Sequence, residues 1–389
     1  MTSLRKFAMT DLGVEGKWST LASLVTQKDP DHPTSCTDNY RFHVNGDGGG
    51  WGDPHLTTVD GVQYDFQSAG EFTALRQKDL EIQTRQTPVP TATVPITNPY
   101  TGITHCVAIY TAVAARLGTS RITLQPGLAS GEASAGGMQL RVNGRLAELT
   151  DQGIVLRSRD GTSQVPAGSF EGVIKKAAAG AFEITDANGT QLVVTPAYWN
   201  GPNVWYLNVS VFQTSATAGT MGKIAANSWL PALPDGSSLG PKPALEDQRY
   251  QDLYRTFADA WRVTDTSSLF DYARDKGEGT ATFTRAEWPR NHPATCAIDG
   301  QPSVQPTTPA TAAQACSGVT DAVHRANCEF DVAITGHTGF GKSYEAAQAF
   351  HPNGTGWVNV NPDGNTGSAS PPWWKRWWLW LLALLASIF

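Results

Sequence analysis

The sequence predicts a mainly β protein of antiparallel strands, with one long helix and a small helical appendage near its C-terminus. Three observations predict it. Apolar and polar residues alternate through Met138, Leu140 and Val142, and Phe182 and Ile184 precede Leu192-Val193-Val194; the turn signals Asn143-Gly144 and Asp186-Ala187-Asn188-Gly189 mark hairpins. The 38 glycines and 24 prolines suit many short strands joined by tight turns. A single aromatic stripe, Tyr250, Leu253, Tyr254, Phe257 and Trp261, recurs at spacings of three and four, the signature of a helix laid on a core.

In chain order, residues 1–44 form a leader or extension: Arg5 and Lys6 are followed by no apolar run of signal-peptide length. Residues 45–265 carry the β pattern. Within them, Pro88–Tyr100 is a proline-broken loop rather than a central strand. The longest strand is Val204–Phe212, with Trp205, Leu207, Val209 and Val211 on one face and the more polar Tyr206, Asn208 and Ser210 on the other. Residues 266–315 read as a linker, richest in Pro, Thr and Ala over Gln301–Ala313. Residues 316–350 form a small cysteine-containing segment, helical at Asp321–Phe330 and Tyr344–Phe350. A Gly/Asn/Pro linker, 351–372, leads to the Trp-rich tail 373–389.

That tail combines Trp373, Trp374, Lys375, Arg376, Trp377 and Trp378 with an apolar end at Phe389, a composition suited to a membrane interface. From Trp377 it runs 13 residues, about 20 Å of helix against about 30 Å of hydrocarbon, too short to span alone; a membrane-associated tail is expected, with a buried or self-associating hydrophobic end as the plain alternative. With 29 basic and 35 acidic residues and no basic block, nothing favours nucleic acid. The five cysteines, Cys36, Cys106, Cys296, Cys316 and Cys328, form no CxxC pair, and the odd count leaves a thiol over for self-association. Sequons at Asn188, Asn208 and Asn353 favour a secretory route weakly.

Residues 51–66, Trp-Gly-Asp-Pro-His-Leu-Thr-Thr-Val-Asp-Gly-Val-Gln-Tyr-Asp-Phe, resemble the opening of von Willebrand factor type D domains, a GDPH-type start leading into a TFDG-x-x-Y-x-F strand. Gly70-Glu71-Phe72 resembles the next strand's entry, and Phe257-Ala258-Asp259-Ala260-Trp261-Arg262-Val263 the domain's close. Cys316 through Val332 resembles the cysteine-containing helical segment that often follows such a domain. The resemblance implies a β-sandwich-like domain used for adhesion, assembly or ligand binding at surfaces.

It also implies specific sites. Calcium-binding members carry CGN-x-D/N with acidic residues nearby; here Met221-Gly222-Lys223-Ile224-Ala225-Ala226-Asn227 stands in that place, without the cysteine or the acidic ligand. Calcium takes six to eight oxygens, so no cofactor is expected, and the Lys223 ammonium is expected to replace the cation beside Asp60. The missing cysteine removes the usual partner of Cys36; the expected bridges are Cys316 with Cys328 and, second, Cys36 with Cys106. Some mucin-type relatives cleave themselves within GDPH. Here Asp53-Pro54 would be the bond, its carboxyl attacking its own carbonyl while His55 moves a proton; the plain alternative is a rigid turn at a strand entrance.

One motif competes. Gly336-His337-Thr338-Gly339-Phe340-Gly341-Lys342-Ser343 fits the phosphate-cradling pattern G-x-x-x-x-G-K-S, with Gly336, Gly341, Lys342 and Ser343 as its nucleotide contacts and apolar Val332-Ala333-Ile334 before it. The hairpin-rich sequence upstream lacks the alternating strands and helices such a domain needs. Asp271, Asp275 and Glu278 form an acidic cluster, expected as a solvated face. The expected function is a non-enzymatic extracellular or cell-surface interaction module for proteins or glycans, tethered through residues 373–389.

Overall fold

A computed structural model describes residues 46–350, apart from 92–96, 99, 104–105, 129–136, 160–165, 299, 302–303 and 306. Outside that span it gives two short ladders, β1 (Leu24–Gln27) with β2 (Arg41–Val44) and β17 (Asn359–Val360) with β18 (Thr366–Gly367). Cys36, Asn353 and the tail 373–389 lie outside the described residues. Among the described residues no helix is long and apolar enough to cross a membrane.

The architecture is mainly β, antiparallel, with a few helices. One sheet is a meander of six strands: β6 (Gly70–Gln77), β7 (Leu80–Pro88), β8 (Ala108–Leu117), β9 (Ser120–Pro126), β10 (Met138–Val142) and β11 (Arg145–Leu146). The other has eight. β12 (Ile154–Arg157), β13 (Phe170–Lys176), β14 (Phe182–Asp186), β15 (Gln191–Trp199) and β16 (Val204–Thr214) run in order. β3 (Gly46–Trp51), β4 (His55–Thr57) and β5 (Gln63–Asp65) then add to β16. The sequence-distant pairing of β16 with β3 places the chain's early hairpin beside its longest strand.

The turns form where the sequence places them. Asn143 (φ 54°) and Gly144 (φ 80°) both take the left-handed conformation that a tight hairpin between β10 and β11 demands. The Asp186 carboxylate accepts the Asn188 and Thr190 amides (2.8 and 2.9 Å) and closes the turn from β14 to β15.

Leu75, Ile82, Val113, Ile122, Leu207, Val209 and Val211 pack into one core drawn from both sheets. The aromatic stripe seals it: Glu246–Tyr250, Gln251–Phe257 and Ala258–Trp261 are contiguous helical segments, here together α1 (246–261), the middle one wound as a π-helix. Tyr250, Leu253, Tyr254, Phe257 and Trp261 are all buried in that core.

The residues expected as linker are packed. Leu269, Phe270 and Tyr272 cover Ala112 and Ala114 on the six-stranded sheet, and a short helix, α2 (Thr280–Phe283), follows. Cys106 is bonded to Cys296, not to Cys36, which ties the entrance of β8 to this segment. Apolar residues spaced irregularly through 266–298 carried no period, which is why this stretch read as a connection.

The polar face of β16 is likewise covered. Helices α3 (Pro309–Ala315), α4 (Ala322–Thr335) and α5 (Gly339–Gln348) form a second core with Trp51, Trp199 and Tyr206, and Cys316 is bonded to Cys328 within it. Asp321 caps α4 by accepting the Val323 and His324 amides (3.0 and 2.9 Å). Gly336, at φ 71°, ends it.

Candidate functional site

The Gly52-Asp53-Pro54 turn reverses β3 into β4, with Trp51 paired opposite His55. It lies beneath the helical segment. Gly52 takes φ +64°, and its N–H donates to the Asn208 side chain on β16 (2.8 Å). The Asn208 amide donates onward to the Ser343 carbonyl of α5 (3.0 Å). Trp51 donates from its indole to Ser210 (2.8 Å) and stacks on His324 of α4 at 4.0 Å between ring centroids. The face that reads as more polar is therefore part of the joint: Asn208 and Tyr206 meet the helical segment, while Ser210 holds Trp51 in the neighbouring strand.

At its centre His55 touches three carboxylates. Its Nδ1 lies 2.7 Å from Asp65, and its Nε2 lies 2.9 Å from Asp53 and 3.0 Å from Asp331 of α4. None of these side chains is more than 8% exposed. Tyr344 of α5 donates to the other Asp331 oxygen (2.9 Å), Asn98 donates to Asp65, and the Phe330 ring stands edge-on to His55. Gln67 reaches Asp53 Oδ1 at 3.4 Å, and among the described residues Asp53 Oδ2 accepts no hydrogen bond although Asp53 is wholly buried.

Charge governs this cluster. Burial disfavours the His55 imidazolium, yet Asp53, Asp65 and Asp331 outweigh it and hold the His55 pKa well above its ordinary value. Burial and the neighbouring Asp53 raise Asp331 well above the carboxylate range, against the pull of His55 and Tyr344. Asp53, His55 and Asp331 can each turn one ligand atom into a common space, with those atoms within 4.8 Å of one another. Two chemistries are open to the arrangement: proton exchange around Asp53-Pro54, and coordination of a cation.

Asp53, Pro54 and His55 thus sit together, as their adjacency requires. Asp65, Asp331, Tyr344 and Asn208 complete the site; Asp65 lies in the family-like opening and Asn208 in a sequon on the polar strand face, but nothing in the sequence assigned any of the four a role beside His55. Asp331 had one available signal: it shares the inward face of α4 with Cys328, Val332 and Ile334, where a carboxylate needs a partner.

The other candidate sites resolve differently. Lys223 is exposed and forms no ion pair with Asp60 among the described residues; the Asp60 carboxylate accepts the Thr58 hydroxyl (2.6 Å) and the Ile224 backbone N–H (3.2 Å) instead. A backbone amide, rather than the expected Lys223 ammonium, thus faces the Asp60 carboxylate. Gly336–Ser343 joins two helices rather than a strand and a helix. Val332-Ala333-Ile334 is helical, the Phe340 and Gly341 amides donate to His337 and Thr338, Ser343 donates to Phe340, and exposed Lys342 pairs with Glu345 at 2.6 Å. Gly341 is small because a Cβ there would lie 2.0 Å from the Ala315 carbonyl of α3. The acidic residues after the β domain are used separately: Asp271 binds Arg121 (2.7 Å) and Thr123, and Glu278 accepts the Ala273 amide. Of the sequons, Asn188 is exposed on its turn and Asn208 is buried.

Comparison of the sequence with protein-family models and with curated proteins finds no match.

Proposed function

We propose that this protein is a non-catalytic extracellular or cell-surface interaction module built on a von Willebrand factor type D-like domain. In this reading its GDPH turn clasps the cysteine-containing helical segment. The observation that carries it is the sealing of the chemistry-bearing cluster. The side chains of Asp53, His55, Asp65 and Asp331 are no more than 8% exposed beneath α4 and α5, too little surface for a macromolecular substrate, and their contacts join residues 276 positions apart. A clasp of this kind makes one rigid body from the β sheets and the helical segment, a scaffold for binding proteins or glycans. The two bonded cysteine pairs suit an oxidising compartment. Membrane tethering through Trp373–Phe389 belongs to the same proposal.

Surface labelling of intact host cells followed by a non-reducing peptide map tests it. Labelled protein carrying Cys106–Cys296 and Cys316–Cys328 is expected. Unlabelled protein with free thiols overturns the extracellular assignment.

A second reading, self-processing, draws on one observation: the buried Asp53 carboxyl has an oxygen without a partner. That oxygen would attack the Asp53 carbonyl carbon and expel the Pro54 nitrogen, which takes up a proton. Water would then open the cyclic anhydride to leave Asp53 as a C-terminus. Residues 46–51 would stay paired with β16. Denaturing mass measurement after incubation at mildly acidic pH decides it, since two fragments meeting at Asp53-Pro54 support cleavage and a single intact chain excludes it.

A further inference from the structure

We propose that Asp53, His55 and Asp331 form a buried site for one first-row divalent cation, of the zinc class, at the joint between the β domain and the helical segment. This inference rests on the clasp reading of the same residues and supplies what holds the clasp shut. The donor set is one imidazole nitrogen and two carboxylate oxygens from two separate parts of the chain. His55 Nε2 stands 2.9 Å from Asp53 Oδ1 and 3.0 Å from Asp331 Oδ1. Ligands about 2.0–2.1 Å from a tetrahedral zinc ion sit about 3.3–3.4 Å from one another, so side-chain rotations that widen these separations by a few tenths of an ångström, with loss of the Nε2 proton, admit the ion.

The surrounding shell is the one such a site needs. His55 Nδ1 faces Asp65 Oδ1 at 2.7 Å, which fixes the tautomer that presents Nε2 and strengthens it as a donor. Asn98 in turn holds Asp65, and Tyr344 holds the outer oxygen of Asp331 at 2.9 Å. Asp53 brings the independent sign of a missing partner: the residue is wholly buried, and its Oδ2 accepts no hydrogen bond among the described residues. A buried oxygen of this kind costs free energy unless something binds it. Three carboxylates face one histidine, a balance a dication corrects. Calcium fits poorly, because it takes six to eight oxygens at about 2.3–2.6 Å and this set includes an imidazole. A groove lined by Trp51, His55, Thr57 and His324 gives the ion a path from solvent.

The test uses the full chain, purified without chelator, with Zn²⁺ and Co²⁺ as probes. Elemental analysis is expected to find close to one zinc per chain, and Co²⁺ replacement to give visible ligand-field absorption. Asp331→Asn and Asp53→Asn should each abolish stoichiometric binding. Asp65→Asn, outside the ligand set, should weaken it about 10–100-fold. Since a ligand variant can misfold, circular dichroism and Co²⁺ absorption of the wild type are read alongside. Protease protection of residues 316–350 reports on the clasp separately. Protection with no metal and no cobalt spectrum overturns the metal site alone. Release of that segment from wild-type protein overturns both readings, and undiminished zinc in Asp331→Asn overturns the assignment of ligands.

Discussion

The Asp331 carboxylate occupies the space a side chain on Gly52 would need: a Cβ built on Gly52 lies 1.8 Å from Asp331 Oδ2 and 2.5 Å from the Tyr344 hydroxyl. Gly52 is also left-handed, at φ +64°. The glycine that opens the GDPH turn therefore does two things at once, turning the chain and admitting the aspartate of a distant helix. Gly52→Ala should cost about 1–2 kcal/mol for backbone conformation and further stability because Asp331 and Tyr344 must retreat. Urea unfolding should show a lower midpoint, with protection of residues 316–350 lost before the β core unfolds.

Asn208 links three elements through two hydrogen bonds, one from Gly52 N–H and one to the Ser343 carbonyl. Asn208→Ala leaves both groups unpaired in a buried joint, and each such loss costs about 1–3 kcal/mol. The same burial governs modification. Glycopeptide mapping should find any described-region glycan at exposed Asn188 and none at Asn208; a glycan on Asn208 would mean that the helices do not seat on β16.

Glu71 on β6 and Arg85 on β7 form a buried pair, with Nε and Nη2 of Arg85 each 2.8 Å from Glu71 Oε1. The guanidinium also lies over the Phe283 ring at 3.5 Å, and Tyr272 donates to the second Glu71 oxygen. Glu71→Gln should cost about 3–5 kcal/mol by leaving Arg85 charged and unmatched. Chemical denaturation of the variant measures it, and Glu71→Gln combined with Arg85→Met should recover much of the loss.

His337 stacks on Trp199 at 4.9 Å and packs against Phe340, and burial pushes its pKa down to about 4. The unfolded chain, with an ordinary histidine near 6.5, binds the proton more readily. Protonation therefore favours unfolding: stability is full above about pH 6.5 and falls as the pH drops toward 4. Because the ring is only partly buried, the loss should be about 1–2 kcal/mol. Thermal melts between pH 7 and 4 should slope less in His337→Gln.

Much of the β domain could be read along the chain, because its signals are local. Asn143-Gly144 and Asp186–Gly189 make the hairpins that their turn chemistry requires. The stripe from Tyr250 to Trp261 buries as its spacing demands. The alternation on β16 was legible too, although its polar face proved to be a joint rather than a solvated surface. Residues 266–298 were not legible, since Leu269, Phe270, Trp288 and Cys296 follow no period and pack against partners more than a hundred residues away.

By itself, then, the sequence determined the antiparallel strand pattern, the burial of the aromatic stripe and the presence of a GDPH turn, all matters of neighbours a few residues apart. Only the tertiary structure decided what that turn touches. Asp65 is ten residues from His55 and Asp331 is 276 residues away, yet both meet its two ring nitrogens. That meeting depends on β16 pairing with β3 and on helices settling over Asn208. Long-range sheet order and packing set such contacts, and no local propensity encodes them. The same logic separates Lys342 from a phosphate-binding lysine: its motif is local, but a cradle needs a strand before it, and the fold put a helix there.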